Sequence, residues 1–196
     1  VFLLPDLRYY NFGFFIKRFI VAVKDFGWFF FDLFACWITD DNPKINIRFF
    51  QSVLSVLLGN EPIITTFGPS VKEDEIPVFT IYCDGSLAAD DSLMVTGKRF
   101  SHSKYTVNNI DLPDFLNLPL FQYLKIARNT LPDRCKSCEW HKICGGGALI
   151  NRHSTISDFN NASVYCESLQ LLYRCMTSYL VRCGYNLDRL YDNIFK

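Results

Sequence analysis

The sequence predicts an α/β protein: a first part built from a short strand and helices, then a smaller, loop-rich α+β part. Three observations predict it. The apolar run Val1–Leu4 stops at Pro5-Asp6, as a buried strand does where it opens into a loop. Residues from about 12 to 57 carry apolar side chains at helical spacing. Beyond residue 77 the pattern changes to a β-rich segment, a hairpin signal and a run of cysteines. The resulting division is 1–70, 71–185 and a tail at 186–196, with the main boundary in the loop 61–77.

Taken in order, the first strand is followed by helical sequence from about Phe12 to Ile38, read as two helices interrupted near Gly27. A further helix has Asp41 or Asn42 as cap and Pro43 in its first turn. Its apolar stripe is Ile45, Phe49, Phe50, Val53, Leu54 and Leu57, and Gly59 is its stop. Val78–Cys83 is β-branched and aromatic, which suits a strand. Asp84-Gly85 signals a hairpin, and Ser86-Leu87 begins the return strand. Short helices are expected near Leu112–Leu116 and Leu120–Ala127. A last helix is expected over Glu167–Cys183, where Leu169, Leu172, Tyr173, Met176, Leu180 and Cys183 share a face and Gly184 ends it.

Composition narrows the functional classes. Hydrophobic residues make up 49% of the 196, enough for a sizeable core, and aromatic residues 16%. Twenty basic residues balance twenty acidic ones, so no broad basic face is available for nucleic acid. The longest apolar stretch, Phe26–Ile38, is interrupted by Asp32 and is too short to span a bilayer. No signal peptide is apparent, which with the cysteine pattern favours a reducing, cytoplasmic setting without membrane attachment.

Four of the eight cysteines form an array. It reads Cys135-Lys-Ser-Cys138-Glu-Trp-His-Lys-Ile-Cys144-Gly-Gly-Gly, with Cys166 following. Two intervening residues let both thiols of a pair face one centre, and soft thiolates select zinc or iron–sulfur clusters. The glycines after Cys144 remove side chains beside the site, so their amides can approach sulfur. Trp140 and Ile143 are placed to shield it. Two disulfides and a structural zinc knuckle use the same residues, and His141 is near enough in sequence to replace a thiol.

The array and its surroundings resemble the second half of a SPASM domain, the part that follows the barrel of radical-SAM enzymes maturing peptides and sulfatases. The resembling residues are Cys-x2-Cys-x-Trp-x3-Cys-Gly-Gly-Gly, then Arg152, then Asn161-Ala-Ser-Val-Tyr-Cys166. Upstream, Leu3-Leu-Pro-Asp6, Leu33-Phe34 with Trp37, Asp40, Pro43 and Ile47-Arg48-Phe49, and Leu57-Leu58-Gly59 are similar to the late barrel segment of one subgroup. Asp84-Gly85-Ser86 with Asp91, and Ser101-His102-Ser103, extend the likeness over most of residues 1 to 185. That subgroup matures ribosomally made peptides and includes cyclophane-forming enzymes.

The resemblance implies the C-terminal part of a partial (β/α) barrel followed by a SPASM-like domain. Cys135, Cys138, Cys144 and Cys166 would hold one auxiliary 4Fe–4S cluster. A second auxiliary cluster is not expected, because Ala148 and Asp90 stand at two of its ligand positions. The Cys-x3-Cys-x2-Cys motif that holds the S-adenosylmethionine-cleaving 4Fe–4S cluster does not occur in these 196 residues. That cofactor and cluster are therefore assigned to a missing N-terminal part, which in a split enzyme is a separate chain, and this chain is not expected to cleave S-adenosylmethionine alone. Asp91 matches the place of a catalytic base in sulfatase maturases; as a residue after a hairpin it equally suits a turn. The expected partner is a precursor peptide. The competing classes are a non-enzymatic, metal-stabilised peptide-binding module and a non-functional gene remnant. His102, His141 and His153 are polar candidates without an assigned role. Arg152 is read as a partner for a cluster sulfur or as one half of a surface salt bridge. Cys36, Cys175 and Cys183 are read as core, and Cys83 as a leftover thiol.

Overall fold

The computed structural model describes residues 23–63, 78–101 and 103–195. The expected strand at Val1–Leu4, the helical sequence before residue 23, most of the loop 61–77, and His102 lie outside these residues.

Helix α1 runs without interruption over Val23–Asp40, through Gly27. The expected break at Gly27 does not occur, for a packing reason. A Cβ built on Gly27 would lie 3.2 Å from the Cα of Ser168 and 3.2 Å from Cδ2 of Leu171. Glycine here lets two helices approach closely, which offsets its poor helix propensity of about 1 kcal/mol. Gly27→Leu is expected to cost roughly 1–3 kcal/mol by overpacking. A thermal melt checks this, and an unchanged Tm would show that the helices part readily.

Residues 41–47 form a turn that consumes the expected cap. Asn42 accepts the Lys44 amide at 3.0 Å, and the Trp37 indole donates to the Ile45 carbonyl at 2.9 Å. Helix α2 therefore begins later than expected and spans Arg48–Leu57. Phe49, Phe50, Val53 and Leu57 are buried on one face, whereas Ile45 is left exposed.

Strands β1 (Phe79–Ile81) and β2 (Leu87–Ala89) form an antiparallel hairpin in which Phe79 pairs with Ala89 and Ile81 with Leu87. At its turn Gly85 has φ +82° and the Asp84 carboxylate accepts from both the amide and the hydroxyl of Ser86. Four short helices follow: α3 (Asp91–Met94), α4 (Lys98–Ser101), α5 (Leu112–Leu116) and α6 (Pro119–Asn129). They enclose two small apolar clusters, one around Leu93, Phe100 and Phe159, the other around Leu87, Phe115 and Phe121.

Helices α7 (His141–Cys144) and α8 (Leu149–Arg152) flank the triple glycine. The long helix α9 (Cys166–Arg182) comes next. The segment read as a tail contains helix α10 (Leu187–Phe195), which buries Leu190 and Ile194. The largest core joins both halves of the sequence: Phe30 and Phe34 of α1 and Phe50 of α2 meet Leu172, Tyr173 and Met176 of α9. Each fully buried apolar side chain there contributes roughly 1.5–3 kcal/mol.

The described residues are thus mostly helical, with one two-stranded sheet. Among them, no helix is long and apolar enough to cross a membrane.

Candidate functional site

The cysteine array folds as a chain of tight turns. The Cys135 amide donates to the Pro132 carbonyl at 2.8 Å, closing a 3₁₀ turn over Asp133–Cys135. The Cys138 amide returns to the Cys135 carbonyl at 3.1 Å, and the His141 amide to the Cys138 carbonyl at 3.2 Å. Helix α7 then carries Cys144, whose amide reaches the Trp140 carbonyl at 2.8 Å. Each turn brings the next thiol back to the same side. Cys166 arrives from the far end of the sequence, as the first residue of α9.

Gly145, Gly146 and Gly147 all have positive φ, at 57°, 86° and 80°. At Gly147 space is lacking as well: an added Cβ would stand 2.9 Å from the Cβ of Ser163. The glycine run thus lies against the strand of chain that delivers Cys166.

All four cysteines line one cleft, together with Trp140, His141, Gln170 and Tyr173. Its empty space, including the mouth open to solvent, is about 330 Å³. No disulfide joins any of the thiols. Among the described residues, no group of three or more His, Cys, Asp or Glu side chains is placed to hold a single metal ion. The four thiols therefore surround a space without converging on one point.

Burial sets the electrostatics. It pushes the Cys144 thiol up to about 12, against help from the Tyr173 hydroxyl and the Gly146 amide, which favour the thiolate. Cys135 and Cys166 are also raised, first by burial and then by repulsion from the other cysteines. The Gln170 side-chain amide lies 3.5 Å from the sulfur of Cys166 and 3.8 Å from that of Cys138. Trp140 Nε1 is a buried donor with no formed hydrogen bond. Buried donors of this kind call for an acceptor in the cleft.

A pH dependence follows for the metal-free chain. The unfolded Cys144 thiol ionises near its ordinary 9.0, the folded one near 12. Between these values the unfolded state holds fewer protons, so stability is complete below pH 9 and falls as pH rises toward 12. At pH 10.5 the expected loss is on the order of 2 kcal/mol. Urea unfolding at pH 7.5 and 10.5, compared with Cys144→Ala, measures it; equal slopes would show the thiol to be solvated.

Other sequence candidates lie elsewhere. Asp91 is exposed in the first turn of α3, and Asp90 caps that helix by accepting the Ser92 amide at 2.9 Å. Neither is among the residues lining the cleft. His141 lines it, but its Nδ1 is engaged 2.8 Å from the Cys138 carbonyl. His153 is buried, 3.7 Å from Asp158, which also pairs with Arg99 at 2.8 Å and accepts from the Tyr123 hydroxyl. This group braces α4 and α6 against the turn after α8.

Arg152 is 2% exposed, which excludes the surface salt bridge. Cys36 and Cys183 are exposed rather than core, because they fall on the outer sides of α1 and of the end of α9; Cys175 is half-buried and Cys83 exposed. Gln170 was not anticipated as a site residue. Its signal is its place one helical turn after Cys166.

No family model matches the chain. It is similar to the cysteine-type anaerobic sulfatase-maturating enzyme of Clostridium novyi, 26% identical over 158 residues, covering 76% of this chain and 38% of that protein. The enzyme of the same description from Clostridium perfringens is 24% identical over 173 residues, covering 84% and 43%. The fold is that of solved structures described as native anSMEcpe with bound AdoMet, at TM-score 0.68 and 18% identity over 92% of this chain and 47% of that one. The same protein with bound AdoMet and Cp18Cys peptide also superimposes at TM-score 0.68, with 19% identity, over 92% and 48%. The chain spans well under half the length of the curated relatives it matches.

Proposed function

We propose that this chain is the cluster-bearing, C-terminal part of a radical-SAM enzyme that modifies a peptide, with a ribosomally made precursor as substrate. The observation that carries the reading is the single cleft lined by Cys135, Cys138, Cys144 and Cys166. Likeness to sulfatase-maturating enzymes supports the enzyme class, and favours that branch over the cyclophane-forming one. In this reading residues 1–70 complete the barrel and residues 71–185 form the SPASM-like domain.

The four cysteines would hold one 4Fe–4S cluster. Their spread around the cleft suits a cage of several metal atoms; a lone zinc ion needs all four sulfurs about 2.3 Å from one point. Such a cluster supplies one-electron transfer when bound. The chain's own residues do the rest. Trp140 and Tyr173 close the inner wall against water, the Gly146 amide and the Gln170 side chain direct hydrogen bonds at sulfur, and α7 and α9 fix the thiols. Asp91 is the candidate base toward the substrate, and its exposed place on α3 leaves it open to a peptide. S-adenosylmethionine and its own cluster would be held by residues outside this chain.

The test is anaerobic purification or reconstitution of the chain with iron and sulfide. About four iron and four sulfide per chain is the expected result. Stoichiometric zinc without sulfide would sink the cluster and leave a metal-stabilised module. Asp91→Asn, with iron content as the control, then separates a base from a turn residue in an assay that includes the S-adenosylmethionine-binding part.

A further inference from the structure

Arg152 is a buried cation without a carboxylate. It is among the most deeply buried large side chains, at 2% exposure. Its Nε donates to the Phe159 carbonyl at 3.1 Å; its Nη2 donates to the carbonyls of Phe159, Thr130 and Ala127 at 2.9, 3.0 and 3.2 Å. All four bonds end on neutral main-chain oxygen. Ion pairs join Arg99 to Asp158, Lys136 to Asp133, His153 to Asp158 and Arg174 to Glu139, and none of these includes Arg152.

A buried guanidinium that meets only carbonyls keeps its full charge, and an uncompensated buried charge is costly. The groups of opposite potential charge that act on it are the thiols of Cys135 and Cys144. Its remaining nitrogen, Nη1, lies 3.5 Å from where a Cβ of Gly146 would stand, on the chain segment that wraps Cys144. In the thiol form these cysteines give the cation nothing. Four thiolates around an inorganic centre leave a net negative charge, which a fixed positive charge would balance.

We propose that Arg152 is the built-in counter-charge of the four-thiolate centre, a positioning residue that favours the anionic, thiolate-bound state and raises the centre's reduction potential. The three carbonyls, of Ala127, Thr130 and Phe159, act as a socket that fixes the guanidinium. The inference rests on the cluster reading for the identity of the centre, but its charge logic holds for any four-thiolate site. Arg134 also acts on Cys135 and Cys166 but is exposed, so water screens it and it serves as the control.

The experiment uses the full chain reconstituted anaerobically with iron and sulfide, as wild type, Arg152→Gln, Arg152→Lys and Arg134→Gln. A fixed positive charge stabilises the more negative, reduced state. Arg152→Gln is therefore expected to shift the one-electron reduction equilibrium at least tenfold toward oxidised, about 59 mV. Arg152→Lys and Arg134→Gln are expected to stay within about threefold. A potential for Arg152→Gln within threefold of wild type overturns the proposal. So does an equal shift in Arg152→Lys, or failure of both Arg152 variants to fold even when loaded, which would make the residue a structural clasp. If the wild type takes up zinc and no sulfide, the cluster reading fails while this one is still decided: chelator competition should show at least tenfold weaker zinc binding for Arg152→Gln alone. Equal zinc affinities, or a wild type that binds neither iron nor zinc, overturn it.

Discussion

Cys144→Ala is expected to abolish iron and sulfide retention and to lower the Tm of the reconstituted chain by roughly 10 °C. Thiolate sites of structural type contribute about 10–16 kcal/mol of binding free energy, available only to the folded state. Losing even a third of that moves Tm by roughly 10 °C in a chain of this size. Cys144 is the most consequential of the four because its thiol is the most strongly raised, to about 12, and because its amide and carbonyl both belong to turns of the array. The exposed Cys36 and Cys183 provide the contrast: their alanine variants should keep full iron content and change stability by about 0.5 kcal/mol or less. Iron and sulfide analysis with thermal melts of all three reads the outcome. Full retention by Cys144→Ala would remove the residue from the site.

Gly147→Ala should be the most damaging single substitution that leaves every thiol in place. The φ of +80° costs an L-residue about 1–2 kcal/mol. The methyl group would also sit 2.9 Å from the Cβ of Ser163, an overlap worth roughly 1–3 kcal/mol. Together these predict a loss of about 2–5 kcal/mol. Iron content should fall too, since Ser163 precedes Cys166 by three residues and its carbonyl accepts the Cys166 amide at 3.0 Å. Gly97 has open space around it, so Gly97→Ala is the matched control, expected within about 0.5 kcal/mol. Chemical denaturation of both variants decides the matter. A loss under about 1 kcal/mol at Gly147 would mean that the loop relaxes around the methyl group.

Much of this was legible in the sequence, and the residues show why. The intervals between Cys135, Cys138 and Cys144 are turn intervals, so sequence distance carries over into spatial proximity. The short helix Leu112–Leu116 falls where the sequence predicts one, with Pro113 in its first turn, a local arrangement that needs no distant partner. Misreadings arose where a distant segment decides. Gly27 looked like a break, but its missing side chain is explained by Ser168 and Leu171, some 140 residues away in sequence. Asn42 and Pro43 looked like a helix start, but the turn they serve is fixed by the Trp37 indole bonding to the Ile45 carbonyl. Cys36 and Cys183 have helical surroundings that are apolar on average, and no local pattern says which side meets a neighbour. Sequence leaves Arg152 between a partner for sulfur and half of a surface salt bridge; only the carbonyls of Ala127, Thr130 and Phe159, gathered by the fold, make its burial tolerable.

Helix α9 begins at a cysteine of the cleft and, further along, seats the helix formed by the first described residues. With the proposed centre bound, one rigid rod would carry an inorganic anchor at its head and an aromatic bearing along its flank. Oxygen that corrodes such an anchor would loosen the bearing as well, so oxidative damage there would surface as exposed phenylalanines and hand the chain to proteolysis.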